Sequence, residues 1–233
     1  MGLDVYVGSL TRYLSGDWET VVQQWGRESG TPVNVVRAQN PTDAIRDPDV
    51  LTPAILAWRS SLGEGMRQAG LPTPDWDERP DAPYFTDKPG WGPYGDLVRW
   101  AAHEQLGHAP PSNSLTEWFE DPAILEAKTR TTDYPTIVRG AEVWLPVDFI
   151  GTFEAQWITG DALTFGSVQQ LRRELDLLNQ RAWNGTEEDL ASWRKANKEE
   201  GEPLEIGARF ACALFTAMAA TAEAHRLVAK LDY

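Results

Sequence analysis

The segment 103–108 carries residue types that zinc chemistry needs, because it holds two histidines and a glutamate within six positions. It reads His103-Glu104-Gln105-Leu106-Gly107-His108. Imidazoles and carboxylates are common zinc ligands, and a carboxylate beside the metal can assist the attack of a bound water molecule. A regular helix turns about 100° per residue, so residues five positions apart diverge by about 140°. Both histidines could therefore bind one ion only if the helix were distorted between them.

The same segment is similar to the zinc motif of the dipeptidyl peptidase III family, His-Glu-x-x-Gly-His. The resemblance covers these six residues and a second acidic stretch, Glu187-Glu188-Asp189-Leu190-Ala191. It implies that zinc is the cofactor of a hydrolase and that Glu104 assists the attacking water. It also implies three zinc ligands, namely His103, His108 and Glu188.

An ordinary helix end explains the segment without a metal. Gly107 suits the left-handed position after a helix, and the prolines at 110 and 111 would prevent the helix from continuing. His103 would then lie in the last turn, where a positive charge interacts favourably with the helix dipole, and His108 would lie beyond the end. This interpretation predicts no catalytic residue in the segment.

The segment 71–95 is rich in proline and aromatic residues, and its composition predicts a long loop. Prolines stand at positions 72, 74, 80, 83, 89 and 93, a density that excludes a helix or a central strand. Loops of this length are uncommon in compact domains and are usually functional or linkers. The acids of this loop outnumber its bases, and five aromatic residues are predicted to bind a partner: Trp76, Tyr84, Phe85, Trp91 and Tyr94.

The end of this loop, Gly90-Trp91-Gly92-Pro93-Tyr94-Gly95, has the spacing of a dinucleotide-binding glycine motif. Such a motif follows a strand and brings the backbone close to a pyrophosphate at a helix N-terminus. Here the glycines follow a proline-rich loop instead. The string therefore favours an ordinary helix start, with Asp96 where an acid suits the helix dipole.

The charge balance excludes one class of partner. Lys and Arg number 21, Asp and Glu number 35, and the formal net charge is −14. Affinity for nucleic acid comes from Lys and Arg displacing counterions, so no nucleic-acid partner is predicted. The excess negative charge could attract a protein with a basic surface, although it also serves solubility alone.

Length and composition predict a single folded domain over 1–233, with the excursion at 71–95. Hydrophobic residues make up 42% of the 233 residues, and 11 residues are tryptophan, which suits both a core and a binding surface. The single cysteine permits no internal disulfide. The first residues lack the basic and apolar regions of a secretory signal, which predicts a cytoplasmic location.

Hydrophobic periodicity predicts an α+β fold, in which a small mixed or antiparallel sheet packs against several helices. Alternating residues predict strands at 3–10, 32–37, 142–149, 153–158 and 162–165. Helices are predicted at 15–27, 52–70, 96–106, 121–128 and 186–198, from Ser114, from Ser167, and over 202–231. The proline at 146 predicts that the strand 142–149 lies at an edge or is bulged.

The segment 206–222, IGARFACALFTAMAATA, predicts a buried, Ala-rich C-terminal helix. A membrane span needs about 20 apolar residues with few charges. Arg209 lies near the start of this run, and Glu223 follows it directly, so a core helix is predicted and no membrane partner. Cys212 is predicted to be a small buried apolar residue.

These observations favour a non-enzymatic protein-binding module, inhibitor- or immunity-like, that recognises a basic partner through the aromatic residues of 71–95. A zinc-dependent hydrolase centred on the segment 103–108 is the alternative. A small-molecule or sugar binder that uses exposed aromatic residues is a third hypothesis.

Overall fold

The computed structural model of the protein describes residues 2–31, 33, 47–79, 81–196 and 203–233. The strand predicted at 32–37 lies outside these residues except for Val33. Within them the chain forms a mixed sheet with helices on both faces. The predicted α+β fold, with a sheet packed against several helices, is therefore confirmed.

The described part of the chain contributes six strands to one sheet. The strands are β1 Asp4–Gly8, β2 Phe85–Asp87, β3 Val143–Leu145, β4 Phe153–Gln156, β5 Ala162–Ser167 and β6 Val228–Asp232. Their order in the sheet is β2-β1-β6-β3-β5-β4. All neighbours are antiparallel except β3 and β5, which are parallel.

Helices cover the two faces of the sheet unequally. The helices are α1 Leu10–Ser15, α2 Val21–Glu28, α3 Pro48–Gln68, α4 Trp91–Gln105, α5 Pro122–Thr129, α6 Pro135–Val138, α7 Val168–Ala182, α8 Glu187–Trp193 and α9 Leu204–His225. Alternate strand residues such as Val5, Trp144 and Leu231 belong to the larger core, which α4, α7 and α9 share. The opposite residues, such as Leu145 and Val228, pack with α1, α3 and part of the segment 71–95.

The helix α9 is the central element of the larger core, as its apolar run predicts. By length and composition alone it could cross a membrane, but 56% of its most apolar window is buried inside the protein. Cys212 is buried, and this burial raises the pKa of its thiol to about 12. The prediction of a buried, Ala-rich helix is confirmed.

The prediction that this helix continues to 231 is wrong. It ends at His225, and Arg226 adopts a left-handed conformation. The chain then forms β6, which lies between β1 and β3 in the middle of the sheet. In β6 the partly exposed Lys230 and Asp232 alternate with the buried Ala229 and Leu231, but the apolar run before the strand hid this short pattern in the sequence.

Other predicted helix starts are also wrong. The helix predicted at 15–27 begins at Val21, because Ser15 is the last residue of the separate helix α1. Asp47 caps α3, which begins at Pro48, so Pro53 lies inside the helix rather than at its start. The helix α4 begins at Trp91 and not at Asp96, because Pro93 falls in the first turn, where a missing N–H costs no hydrogen bond.

The strand predicted at 142–149 is shorter than predicted and does not lie at a sheet edge. Only Val143–Leu145 forms a strand before Pro146, and it lies inside the sheet between β6 and β5 rather than at an edge. The strand β4 pairs with β5, whereas β3 runs parallel to β5. Pairing is a non-local property, so apolar alternation alone does not reveal it.

Candidate protein-binding surface

Trp76 was predicted to bind a partner, but the structure buries it beneath the sheet. Its indole N–H donates to Glu78, whose carboxylate also accepts the backbone N–H groups of Leu10 and Thr11 at 3.0 and 2.9 Å. Glu78 therefore satisfies the first N–H groups of α1 and ties the loop to that helix. Trp76 is a core residue, and its assignment as a surface anchor is corrected.

Tyr84 and Phe85 are half-buried and packed by the protein itself. The guanidinium of Arg12 lies 5.1 Å from the Tyr84 ring centroid, and that of Arg194 lies 5.1 Å from the Phe85 ring centroid. Phe85 also belongs to β2 at the edge of the sheet. Arginines of the same chain already lie over both rings, so these rings offer little free face to a partner.

Trp91 remains at the surface, where it contacts a residue that sequence reasoning missed. Its side chain is 36% exposed and packs edge to face on Tyr233, which is 56% exposed, with ring centroids 5.2 Å apart. Tyr94, the fifth predicted residue, is buried beneath Trp91. Burial raises the pKa of Tyr94, because the phenolate would lose its hydration. Tyr94 supports the surface and is not itself available to a partner.

Five rings form a continuous line across the N-terminal end of α4. Successive ring centroids are 5.2, 6.3, 5.6 and 6.0 Å apart. We call this line the aromatic ridge; its rings are Tyr233, Trp91, Tyr94, Trp118 and Phe119. Its middle is buried and its two ends are exposed.

Gly95 allows the aromatic ridge to form. A Cβ at this position would lie 2.2 Å from Cδ1 of Trp118. The indole can therefore pack directly against the backbone only because residue 95 has no side chain. Gly90 adopts a φ of 70° just before α4, a conformation that suits glycine. Within the glycine string at 90–95, Gly90 thus allows the turn before α4, and Gly95 allows the close contact with Trp118. Neither role needs a nucleotide.

A buried ion pair holds the segment that carries Trp118. Arg99 donates to Asp121 at 2.8 Å and to the carbonyl oxygen of Asn113 at 2.7 Å. Burial acts to raise the pKa of Asp121, but hydrogen bonds from Arg99 and the Ala123 amide outweigh it and lower that pKa. The helix predicted from Ser114 does not form, and the Ser114 hydroxyl donates to Asp96 on α4 instead of capping a helix. Only a single 3-10 turn, Trp118–Glu120, follows.

Carboxylates surround the Tyr233 end of the ridge. The Tyr233 hydroxyl donates to Glu142, and the charges of Glu142 and Asp161 act on the tyrosine. Burial and this hydrogen bond raise the pKa of Tyr233. Lys230 lies below, with its ammonium 6.0 Å from the Tyr233 ring centroid, and donates to the carbonyl oxygen of Leu231. Desolvation lowers the pKa of Lys230.

The Phe119 end of the ridge is both apolar and acidic. Phe119 is 51% exposed, Leu115 is 46% exposed and Leu125 is 53% exposed. Glu117 and Glu120 are exposed between them. Both ends of the ridge therefore combine exposed apolar side chains with carboxylates.

The histidine segment does not form the metal site that its resemblance implies. The helix α4 ends at Gln105, and Gly107 has a φ of 68°, so the predicted helix end is confirmed. The ring centroids of His103 and His108 are 6.2 Å apart. His103 approaches Asp121 at 3.5 Å, and Glu104 approaches Arg181 at 3.6 Å.

The implied third ligand does not complete the zinc site either. Glu188 lies exposed in the first turn of α8. Among the residues that the structure describes, no group of three His, Cys, Asp or Glu side chains could hold a metal ion. The His103, His108 and Glu188 ligand set is thus not assembled in this fold.

Comparisons with protein-family models, with curated proteins and with solved structures found no match for this chain.

Sequence reasoning found one exposed ring of the ridge, Trp91, and missed Trp118, Phe119 and Tyr233. A usable signal was present, because Trp118 and Phe119 lie between Glu117 and Glu120, the combination that marked the loop 71–95. Tyr233 gave no comparable local signal, since its role depends on β6 lying beside the start of α4.

Proposed function

We propose that this protein is a non-enzymatic binding module, inhibitor- or immunity-like, that captures a partner protein with a basic surface through the aromatic ridge. The observation that carries this proposal is the exposed Trp91–Tyr233 pair, which packs edge to face next to Glu142 and Asp161. Rigid aromatic residues with acidic neighbours have the chemistry of an interface anchor for a basic patch.

The aromatic rings and the carboxylates would contribute to binding in different ways. Buried Trp and Tyr anchors commonly contribute about 2 kcal/mol or more each when truncated, which is roughly thirtyfold in affinity. The carboxylates act over a longer range, because the formal net charge of −14 steers a basic partner toward the surface. We therefore expect the rings to control dissociation and the acids to control association and its dependence on salt.

Capture of a partner by immobilised protein tests this proposal. Wild-type protein, the double variant W91A/Y233A and the control W25A would be exposed to the same cell extract. Trp25 is a suitable control because it is 63% exposed and lies on α2. We expect a basic protein, identified by mass spectrometry, to be retained by wild type and W25A and lost by W91A/Y233A.

Salt and folding controls complete the test. Retention should fall as ionic strength rises, since exposed charges are screened by salt. Circular dichroism should show that all three proteins are equally folded. Equal retention by W91A/Y233A and wild type would reject the proposal.

A further inference from the structure

A cleft of about 360 Å³ opens beside the Phe119 end of the aromatic ridge. We call it the 115–122 cleft; it is lined by Leu115, Thr116, Glu117, Glu120, Asp121 and Pro122. Leu125 lies one helical turn after Pro122 and is also exposed. The cleft therefore offers apolar side chains and carboxylates to the same ligand.

The carboxylates of the cleft differ in whether they already accept hydrogen bonds from other groups of the protein. Asp121 accepts from Arg99 and from the Ala123 amide, so it is satisfied internally. Glu117 and Glu120 form no salt bridge or side-chain hydrogen bond within the described residues. Two exposed carboxylates thus line one cleft, and no cation in the described part of the chain pairs with them.

We infer that the 115–122 cleft binds an arginine side chain of the partner protein, an assignment that rests on the proposed function. The aliphatic part of an arginine would lie against Leu115 and Pro122, as long basic side chains commonly cover apolar surface. Its guanidinium would be placed between Glu117 and Glu120. A planar guanidinium presents five N–H donors in a fixed arrangement, which suits two carboxylates better than the compact ammonium of lysine.

Charge complementarity selects this occupant over an apolar one. An apolar side chain in the cleft would remove water from Glu117 and Glu120 without replacing their hydrogen bonds, and such desolvation is costly. The same chain already places guanidinium groups between a ring and a carboxylate. Arg194, for example, lies over Phe85 and pairs with Asp87 at 2.9 Å.

Titration with small arginine analogues tests the cleft without the partner. The probe is Nα-acetyl-arginine amide, followed by amide chemical shifts of ¹⁵N-labelled full-length protein. We expect saturable shifts confined to residues near 115–122. The isosteric citrulline compound, which has the same shape but no charge, should bind roughly tenfold more weakly or worse, because charge-assisted hydrogen bonds are lost.

Paired variants test whether Glu117 and Glu120 bind the arginine compound. The variant E117Q/E120Q should lose the arginine-dependent shifts. The control E28Q/E154Q removes the same charge from exposed positions on α2 and β4 and should retain them. Equal binding of arginine and citrulline, equal binding of the lysine compound, or unchanged shifts in E117Q/E120Q would each overturn the assignment to arginine.

The failure of this inference is distinguishable from failure of the proposed function. The variant W91A/Y233A leaves every lining residue of the cleft in place, so it should still bind the arginine compound. Loss of partner capture in W91A/Y233A together with absent arginine binding in wild type would overturn the cleft assignment alone. Arginine binding with unchanged partner capture in W91A/Y233A would overturn the proposed function of the Trp91–Tyr233 pair alone.

Discussion

The two tryptophans of the segment 71–95 lie in opposite environments, although both stand near acidic residues. Trp76 is buried, and the nearby carboxylate of Glu78 accepts hydrogen bonds from its indole and from the first N–H groups of α1. Trp91 is exposed beside Tyr233, and the nearby Asp161 faces solvent. An aromatic residue next to an acid is therefore a binding candidate only where the protein leaves both of them unsatisfied.

The substitution W76A should have the largest effect on stability. Truncating a fully packed tryptophan leaves a cavity and costs about 3–5 kcal/mol, and here it also removes a hydrogen bond to Glu78. Chemical denaturation would measure the free energy of unfolding. A loss of unfolding free energy below about 1 kcal/mol would mean that Trp76 is not packed in the core.

Glu174 is a buried carboxylate that accepts hydrogen bonds but forms no salt bridge with any residue that the structure describes. It accepts hydrogen bonds from the Thr136 amide and hydroxyl and from the Ile137 amide. Burial raises the pKa of Glu174 from 4.5 to about 7, although these hydrogen bonds act to lower it. The folded protein therefore binds more protons than the unfolded chain between these two pH values.

Stability should consequently fall as pH rises from about 4.5 to 7, because the unfolded chain releases the Glu174 proton first. At 1.36 kcal/mol per pKa unit the contribution is at most about 3 kcal/mol. Denaturation of wild type and E174Q across this pH window would measure it. An identical pH profile in E174Q would show that another group is responsible.

The substitution G95A should destabilise the protein by about 1–3 kcal/mol, because the new methyl group would displace Trp118 from the backbone of α4. G92A is the matched control on the same helix, since nothing lies within 4 Å of a Cβ at that position. The control should be neutral or more stable by up to about 1 kcal/mol. Thermal unfolding with tryptophan fluorescence would compare them, and equal stability of both variants would contradict the packing contact.

The substitutions W91A and Y233A should have the smallest effect on stability, within about 0.5 kcal/mol each, because neither ring is part of the core. The same denaturation experiment used for W76A provides the contrast. A loss comparable to that of W76A would mean that the exposed pair is structural, and the distinction between Trp76 and the Trp91–Tyr233 pair would disappear.

Local signals in the sequence predicted much of the fold. Asp121, Ser167 and Thr186 cap helices where their residue types predict caps, because a cap depends only on a few neighbouring residues. The helix end at Gly107 follows from glycine and the prolines after it. The resemblance of 103–108 to a zinc motif was equally local, and the tertiary structure did not support it with a third ligand.

Non-local contacts decided the rest. The central position of β6, the interior position of β3 and the contact between Trp91 and Tyr233 all depend on segments far apart in the chain. The sequence by itself determined the helix caps at Asp121, Ser167 and Thr186, the helix end at Gly107 and which helix is apolar enough to be the core. Only the tertiary structure decided which aromatic residues lie inside and which carboxylates stay available, because burial and pairing depend on residues that the chain brings together from a distance.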